Sequence, residues 1–236
     1  MSFDKLREEV LRANLDVVEA GLVVLTWGNA SGVDFSKGAM AIKPSGVAYD
    51  QLRPKDMVVI SLATGEVMEG DLNPSSDSPT HLAIYRAFPT VGGVVHTHST
   101  YATSWAQSER DIPCLGTTHA DHFYGPVPVA RNMKESELAA YEAETGKVIV
   151  ETFESRHLDP LDVPAILLPH HGPFAWGRNP HEAVKNAIAL EQVAKMALFS
   201  FIINPNAAAT PKVLLDKHFK RKHGPGAYYG QDSDRG

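Results

Sequence analysis

The chain has 236 residues, 43% of them hydrophobic and 21% charged, with a formal net charge of −6 at pH 7. This length suits one compact α/β domain spanning residues 1–236, and the charges form no basic face of the kind that binds nucleic acid. The single cysteine, Cys114, excludes a disulfide framework, and the longest apolar stretch, near 196–203, is shorter than the about 20 residues of a membrane-spanning helix. The charged N-terminus is unlike a signal peptide, so we expect a cytoplasmic protein without nucleic-acid or membrane partners.

The first half of the chain combines one long helical pattern with short extended segments. Apolar residues recur at helical spacing from Leu6 to Val18, which predicts an amphipathic helix over residues 4–20 that ends at Gly21. The next elements predicted are a strand at 22–27, a loop at 28–32, a strand at 39–43, a hairpin with strands at 57–62 and 66–69, and a helix at about 80–88.

The second half contains longer helices. The patterns predict a strand at 93–98, a helix at 99–107, a loop region at 112–130, a helix at 134–156, a strand at 165–170, a helix at 180–201, a linker at 204–211 and a short basic helix at 214–222. Helices and strands alternate, but short hairpins also occur. This mixture favours a three-layer α/β/α sandwich with a central mixed, mostly antiparallel sheet over a doubly wound parallel sheet.

Two histidines, His96 and His98, are two residues apart on the predicted strand 93–98. Because side chains alternate between the faces of a strand, both imidazoles point the same way, with Cβ atoms roughly 6.5–7 Å apart, and both are able to bind one ion. A second strand ends in His170 and His171, and alternation allows at most one of these to join the pair. Three histidines with an open coordination position are typical of a catalytic zinc site.

A second group of possible ligands is the segment His119-Ala120-Asp121-His122. Its spacing also suits a metal, but it lies in a predicted loop and ranks below the first group. The plainer alternative for either group is a set of ordinary buried or surface histidines.

Three short segments are rich in small polar residues: Gly28-Asn29, Ser45-Gly46 and Ser75-Ser76. Such segments present backbone N–H and hydroxyl donors that suit phosphate oxygens. The third precedes a predicted helix, whose dipole favours an anion at its N-terminus, and Lys43 adds a positive charge beside the second. Each segment alone is also compatible with an ordinary turn. No Walker motif and no Gly-x-Gly-x-x-Gly occurs, so a nucleotide is not indicated.

Seven motifs, spread over nearly the whole chain to about residue 231, carry a family resemblance. They are Thr26-Trp27-Gly28-Asn29, Lys43-Pro44-Ser45-Gly46, Pro74-Ser75-Ser76-Asp77, His96-Thr97-His98, Thr117-Thr118-His119-Ala120-Asp121, His171-Gly172-Pro173-Phe174-Ala175-Trp176-Gly177 and Tyr228-Tyr229-Gly230-Gln231. Together they resemble the class II aldolase and adducin head family, and within it the L-ribulose-5-phosphate 4-epimerases.

This resemblance implies a homotetramer with sites at subunit interfaces, where segment 212–231 contributes to a neighbour's site. The implied ligands of a Zn2+ ion, which Mn2+ or Co2+ could replace, are His96, His98 and His171, with Asp77 also at the metal. The residues implied to bind the substrate, largely through its phosphate, are Gly28, Asn29, Ser45, Gly46, Ser75 and Ser76, with Lys43 as a helper. Asp121 and Tyr229 match the acid/base pair, with Tyr229 coming from a neighbouring subunit, and His218 is expected near the same site.

The implied reaction interconverts L-ribulose 5-phosphate and D-xylulose 5-phosphate. The C4 hydrogen is not adjacent to the C2 carbonyl, so simple deprotonation gives no enolate. Cleaving C3–C4 by a retro-aldol step and re-adding the aldehyde on its other face solves this problem. The alternatives are an aldolase acting on L-fuculose or L-rhamnulose phosphate, a non-catalytic adducin-like interaction module, and a metal-dependent dehydratase or decarboxylase.

Overall fold

The computed structural model describes residues 2–224 and 226–228. Within this range, seven strands form one sheet in the order β4-β3-β2-β1-β5-β7-β6. The strands are β1 Gly28–Asp34, β2 Ala39–Ile42, β3 Val58–Ser61, β4 Val67–Glu69, β5 Gly93–Thr97, β6 Ala165–Leu167 and β7 Pro173–Gly177. Neighbouring strands pair antiparallel, and an isolated parallel bridge joins Val129 to Leu167. The predicted mostly antiparallel sheet is therefore confirmed.

Helices cover both faces of this sheet. They are α1 Asp4–Glu19, α2 Ser78–Ala87, α3 Thr100–Gln107, α4 Thr117–Ala120, α5 Tyr141–Ser155, α6 Pro180–Ile203 and α7 Lys212–Lys222. One buried cluster joins α1, α3 and α6 to the sheet, and a second joins α2 and α5 to its other face. Alternation along β2 shows the division: Ala39 and Ala41 belong to the first cluster, and Met40 and Ile42 to the second. The predicted three-layer sandwich is confirmed.

The first predicted strand, at 22–27, is wrong. That segment is a turn with Leu25 at φ 55° and 74% exposed, and the strand is instead β1, which includes the residues predicted as a loop. Small residues are required there because α1 and α6 pack directly on β1. A Cβ on Gly32 would lie 2.7 Å from Pro180 and 3.0 Å from Val10. Tertiary packing therefore overrides the apolar pattern of the preceding segment.

The strand predicted at 165–170 ends at Leu167, and β7 follows it after a tight turn. Leu168 N–H donates to the Gly172 carbonyl at 3.0 Å, and His171 N–H donates to the Leu168 carbonyl at 3.2 Å. β7 pairs with β5, with Phe174 opposite His96. This pairing brings the turn after β6 to the end of β5.

One predicted helix consists of two segments in the structure. The helix predicted at 134–156 is a 3₁₀ segment, Glu135–Ala140, followed by α5.

α6 is long and apolar enough to cross a membrane by length and composition. However, its buried stripe packs on the sheet, and its Glu191 carboxylate accepts N–H bonds from Tyr101 and Ala102 at 2.9 Å. These are the contacts of a core helix, and the expected absence of a membrane partner stays a prediction.

Candidate metal and anion site

Three histidine side chains converge at the end of β5. β5 and the residue after it supply His96 and His98, and the turn after β6 supplies His171. The ring centroids are 4.6 to 5.1 Å apart, and the Nε2 atoms of His96 and His98 are 3.1 Å apart. Among residues 2–224 and 226–228, these three form the one group whose ligand atoms all lie within 4.8 Å. Two nitrogens bound tetrahedrally to zinc at 2.0–2.1 Å would be about 3.3 Å apart, so the arrangement fits one ion.

The environment keeps these imidazoles neutral. Burial lowers the pKa of His96, His98 and His171 below the usual range, although the charge of Asp77 opposes the effect. His96 Nδ1 donates to the Pro173 carbonyl at 3.0 Å, which leaves Nε2 with its lone pair towards the other rings. Neutral imidazoles with free lone pairs are the form that binds a metal.

The adjacent histidines at 170 and 171 have opposite surroundings. His170 has φ 59°, its side chain is 67% exposed, and its Nε2 lies 3.2 Å from Glu109 Oε1. His171 points inward to the other two histidines. The turn therefore directs His171, and not His170, to the cluster.

A cavity of about 400 Å³ connects the histidines to the three small-residue segments. It is lined by Thr26, Trp27, Gly28, Asn29, Lys43, Pro44, Ser45, Gly46, Ser75, Ser76, Asp77, His96, His98 and His171. Backbone hydrogen bonds connect the second and third segments, each to a residue beside the other. The Ser45 N–H donates to the Asn73 carbonyl at 2.9 Å, and the Ser75 N–H donates to the Lys43 carbonyl at 3.0 Å. Ser45, Gly46 and Ser76 line this cavity, and all three are exposed to solvent.

Two glycines allow the backbone segments around the triad to approach each other. Gly28 has φ 116°, and a Cβ there would lie 2.7 Å from the His96 carbonyl oxygen. A Cβ on Gly172 would lie 2.7 Å from the Thr97 carbonyl oxygen. Any larger residue at either position would displace a strand that carries a site histidine.

Asp77 lines the same cavity but is not in the group of three close ligands. Asn29, whose neighbour across the sheet is His96, donates from Nδ2 to Asp77 Oδ2 at 2.7 Å and to Ser75 Oγ at 3.0 Å. Burial opposes ionisation of Asp77, but attraction to the nearby histidines in their protonated form and the Asn29 bond outweigh it and hold its pKa below the usual range. The cavity thus contains one oriented carboxylate beside three neutral imidazoles.

Lys43 places a buried positive charge in this cavity. It is only 2% exposed, its Nζ donates to the Pro44 carbonyl at 3.2 Å, and it lies 4.8 Å from the ring centre of Tyr49. Tyr49 in turn donates its hydroxyl hydrogen to the Gly28 carbonyl at 2.8 Å. In the described part of the chain Lys43 has no salt bridge, and burial lowers its pKa. A buried cation without a carboxylate partner favours binding of an anion.

Asp121 and His218 lie outside this cavity. Asp121, at the end of α4, binds Arg221 and His218 of α7, with Lys222 Nζ at 3.5 Å. Burial raises the pKa of Asp121, but the hydrogen bonds from Arg221 and His218 outweigh this effect and lower it. Tyr229 lies outside the described residues. One chain therefore brings together the metal and phosphate candidates, and separately brings His218 to Asp121.

The side chains of the second group of possible ligands, His119, Asp121 and His122, do not converge on one metal position in the described residues. His119 is buried and its Nε2 donates to the Gly125 carbonyl at 2.8 Å, which fixes it as a structural group. Asp121 is engaged by α7.

Sequence reasoning missed Arg221 and Tyr141. The first is 100 residues from its partner Asp121, and only the basic character of α7 gave a signal. The Tyr141 hydroxyl lies 3.2 Å from His171 Nδ1, and nothing in the pattern of residues 134–156 indicates this contact.

Comparison with known proteins gives consistent matches. The sequence profile described as Class II Aldolase and Adducin N-terminal domain matches residues 8–198. Among solved structures, an L-fuculose 1-phosphate aldolase is 26% identical, with coverage of 92% of this chain and 96% of its own and a TM-score of 0.77. YgbL of Escherichia coli, described as a putative aldolase, epimerase or decarboxylase, is 26% identical. The match covers 91% of this chain and 97% of that chain, with a TM-score of 0.71. L-fuculose-1-phosphate aldolase from Thermus thermophilus is 24% identical and shares the fold. The match covers 85% of this chain and 97% of that chain, with a TM-score of 0.66.

Proposed function

The chain belongs to the class II aldolase and adducin N-terminal domain family, and we propose on this premise that it is a metal-dependent enzyme acting on a sugar phosphate. The observation that carries the proposal is one cavity that contains both the histidine triad and the three small-residue segments. A metal site alone, or a phosphate site alone, would be far less specific. The combination favours chemistry at a carbonyl on a substrate that is anchored by its phosphate.

His96, His98 and His171 would hold the ion, with the Asp77 carboxylate beside them. Zinc is our first choice, and Mn2+ or Co2+ accept the same donors. When bound, the metal supplies a Lewis acid that polarises the substrate carbonyl and stabilises the negative charge that develops on bond cleavage. Asn29 holds Asp77 in place through its 2.7 Å hydrogen bond.

The phosphate would bind at the mouth of the cavity. Ser45, Gly46 and Ser76 offer donors there, and Ser76 lies just before α2, whose N-terminal dipole favours an anion. Lys43, which lines the same cavity, provides the positive charge. Anchoring the phosphate would keep a cleaved aldehyde in the site long enough for it to turn.

We favour epimerisation at C4 of L-ribulose 5-phosphate to give D-xylulose 5-phosphate. A base removes the C4 hydroxyl proton, the C3–C4 bond breaks, and its electron pair passes to the C2 carbonyl. The resulting enediolate of dihydroxyacetone re-adds to the other face of glycolaldehyde phosphate, and an acid returns the proton to the C4 oxygen. We assign these two proton transfers to Asp121 and Tyr229.

The separation of Asp121 from its own chain's cavity supports a site shared between copies of the chain. A homotetramer would bring Asp121, His218 and the segment 212–231 of one copy to the cavity of the next. Exposed apolar side chains on α6, among them Phe199, Ile202 and Ile203, suit contact with another copy.

The similarity to an L-fuculose 1-phosphate aldolase keeps simple aldol cleavage as a second candidate. The sequence resemblance implies a glutamate in such aldolases where this chain has Asp77. The shorter side chain is already tied to Asn29 and is better placed to hold the metal than to reach a substrate.

The test is a coupled assay on zinc-loaded protein with L-ribulose 5-phosphate, other pentulose phosphates and L-fuculose 1-phosphate. We expect D-xylulose 5-phosphate from the first substrate without net release of glycolaldehyde phosphate. Net aldehyde release without epimer would establish an aldolase. A well-folded protein that takes up no divalent ion would instead favour a non-catalytic module.

A further inference from the structure

Tyr141, the first residue of α5, contacts the histidine triad from outside the cavity. Its hydroxyl lies 3.2 Å from His171 Nδ1, and the two ring centroids are 5.9 Å apart. Tyr141 is not among the residues that line the cavity. It therefore touches a candidate metal ligand without facing the space where a substrate would sit.

The contact occupies Nδ1 of His171. A histidine that binds a metal through one ring nitrogen normally donates its other N–H to a fixed acceptor, which sets the tautomer and the ring orientation. For His96 that acceptor is the Pro173 carbonyl at 3.0 Å. For His171 the hydroxyl oxygen of Tyr141 is in the same position relative to the ring. In the tautomer that binds an ion through Nε2, Nδ1–H donates to this hydroxyl oxygen.

His171 has greater need of such a partner than His96. It sits in the turn between β6 and β7, beside His170 with φ 59°, and is less buried than His96, which lies within β5. A side chain in a turn has more orientational freedom than one within a strand. An outside contact therefore contributes more to fixing its ring.

Tyr141 is itself held by a rigid support. α5 packs closely on α2, since a Cβ on Gly146 would lie within 2.4 Å of the Ala83 Cβ. Thr80 of α2 donates its hydroxyl hydrogen to the Glu142 carbonyl at 2.6 Å. The contact thus connects His171 to α5, which packs on α2, the helix that follows Asp77.

We propose that Tyr141 is a positioning residue for the metal site, which holds His171 so that Nε2 faces the ion. The inference rests on the proposed function in one respect, namely that the triad binds a metal. It adds a residue that acts through His171 and not on the substrate.

The test compares Tyr141→Phe with Tyr101→Phe in the full-length protein. Both tyrosines are half-buried, and in the described part of the chain the Tyr101 hydroxyl has no hydrogen bond, while its ring packs against Lys195 and Phe199. Zinc affinity is measured by competition with a chromogenic chelator. The visible absorption of the cobalt-loaded proteins reports the ligand geometry, and the melting temperature of the metal-free proteins reports folding.

We expect zinc to bind about 10- to 100-fold more weakly to Tyr141→Phe, the range typical for loss of such an outer contact. The cobalt spectrum should change, while the metal-free melting temperature stays that of the wild type. Tyr101→Phe should match the wild type in all three measurements.

Equal zinc affinity and an unchanged cobalt spectrum in Tyr141→Phe would overturn the positioning role and leave the proposed function intact. Equal weakening in both variants would also overturn it, because the effect would then not be specific to His171. A wild-type protein that binds no metal would overturn the proposed function, and the role of Tyr141 with it.

Discussion

The guanidinium of Arg221 holds the carboxylate of Asp121 at both oxygens, with Nε 2.9 Å from Oδ1 and Nη2 2.5 Å from Oδ2. His218 Nδ1 lies 3.1 Å from Oδ1 of the same carboxylate. Burial alone would raise the pKa of Asp121, but these hydrogen bonds lower it. Asp121 therefore stays ionised at neutral pH and fixes α7 to α4.

Replacing Asp121 with Asn should lower turnover in the proposed epimerisation by about 10²-fold or more, the usual cost of losing an acid/base group. It should also lower stability by about 1–3 kcal/mol, because charge-assisted hydrogen bonds to α7 are lost. Asp216→Asn is the matched control, since Asp216 anchors α7 through Tyr124 instead and pairs with Lys212 within α7. If both variants lose equal turnover, the docking of α7 explains the effect and the acid/base role of Asp121 is wrong.

The stability difference between wild type and Asp121→Asn should depend on pH in one direction. The folded-state pKa of Asp121 is lower than its unfolded value of about 3.9, so the folded protein binds fewer protons between the two values. The stabilisation is therefore fully present above about pH 4–5 and is lost as the pH falls through the folded pKa. Melting temperatures of both proteins, measured from pH 7 down to pH 3, should approach each other as the pH falls.

Tyr229→Phe should lower epimerase turnover by about 10²-fold or more while zinc content stays at the wild-type level. The change removes only the hydroxyl of the second proposed acid/base group. The neighbouring Tyr228→Phe is the control and should retain turnover. Metal analysis and the coupled assay on the same samples check both statements, and wild-type turnover in Tyr229→Phe would remove it from the mechanism.

The adjacent histidines offer a matched pair for the metal site. His171→Gln should lose metal and activity together, because it removes one of three converging ligands. His170→Gln should keep both, since His170 is exposed and contacts Glu109. Metal content by atomic absorption after dialysis measures the difference. Equal retention of metal by both variants would contradict the assignment of His171.

The sequence predicted the parts of this site that depend on local periodicity. His96 and His98 share a face because strand side chains alternate, and their convergence needed no other information. The choice between His170 and His171 came from a motif, and the structure gives its physical reason in the left-handed backbone of His170. The mostly antiparallel sheet followed from the hairpins between predicted elements.

The parts that the sequence could not predict depend on contacts between distant segments. β1 is a strand because its small residues fit beneath α1 and α6, and the apolar residues before it gave a false signal. Arg221 and Tyr141 lie 100 and 30 residues from the side chains they hold. No local pattern encodes such partners.

The buried charge of Lys43 should contribute to binding of the substrate phosphate. Lys43→Met roughly keeps the length of the side chain but removes the charge, so KM for a sugar phosphate should rise by about tenfold or more, the effect of about 1.4 kcal/mol of lost binding. Stability should not fall, because Lys43 is buried without a salt bridge in the described chain and burial lowers its pKa. Lys37→Met, which removes a half-buried partner of Asp34, is the control and should leave KM unchanged.

The difference in melting temperature between the wild type and Lys43→Met should depend on pH in one direction. Below the folded pKa of Lys43 the wild type carries the full cost of a buried charge, so the variant's melting temperature should equal or exceed that of the wild type at pH 7. As the pH rises through the folded pKa towards the unfolded value of about 10.4, the wild type loses this cost and the two curves should approach each other. A variant that melts well below the wild type at pH 7, with unchanged KM, would show that Lys43 supports the fold and does not bind the phosphate.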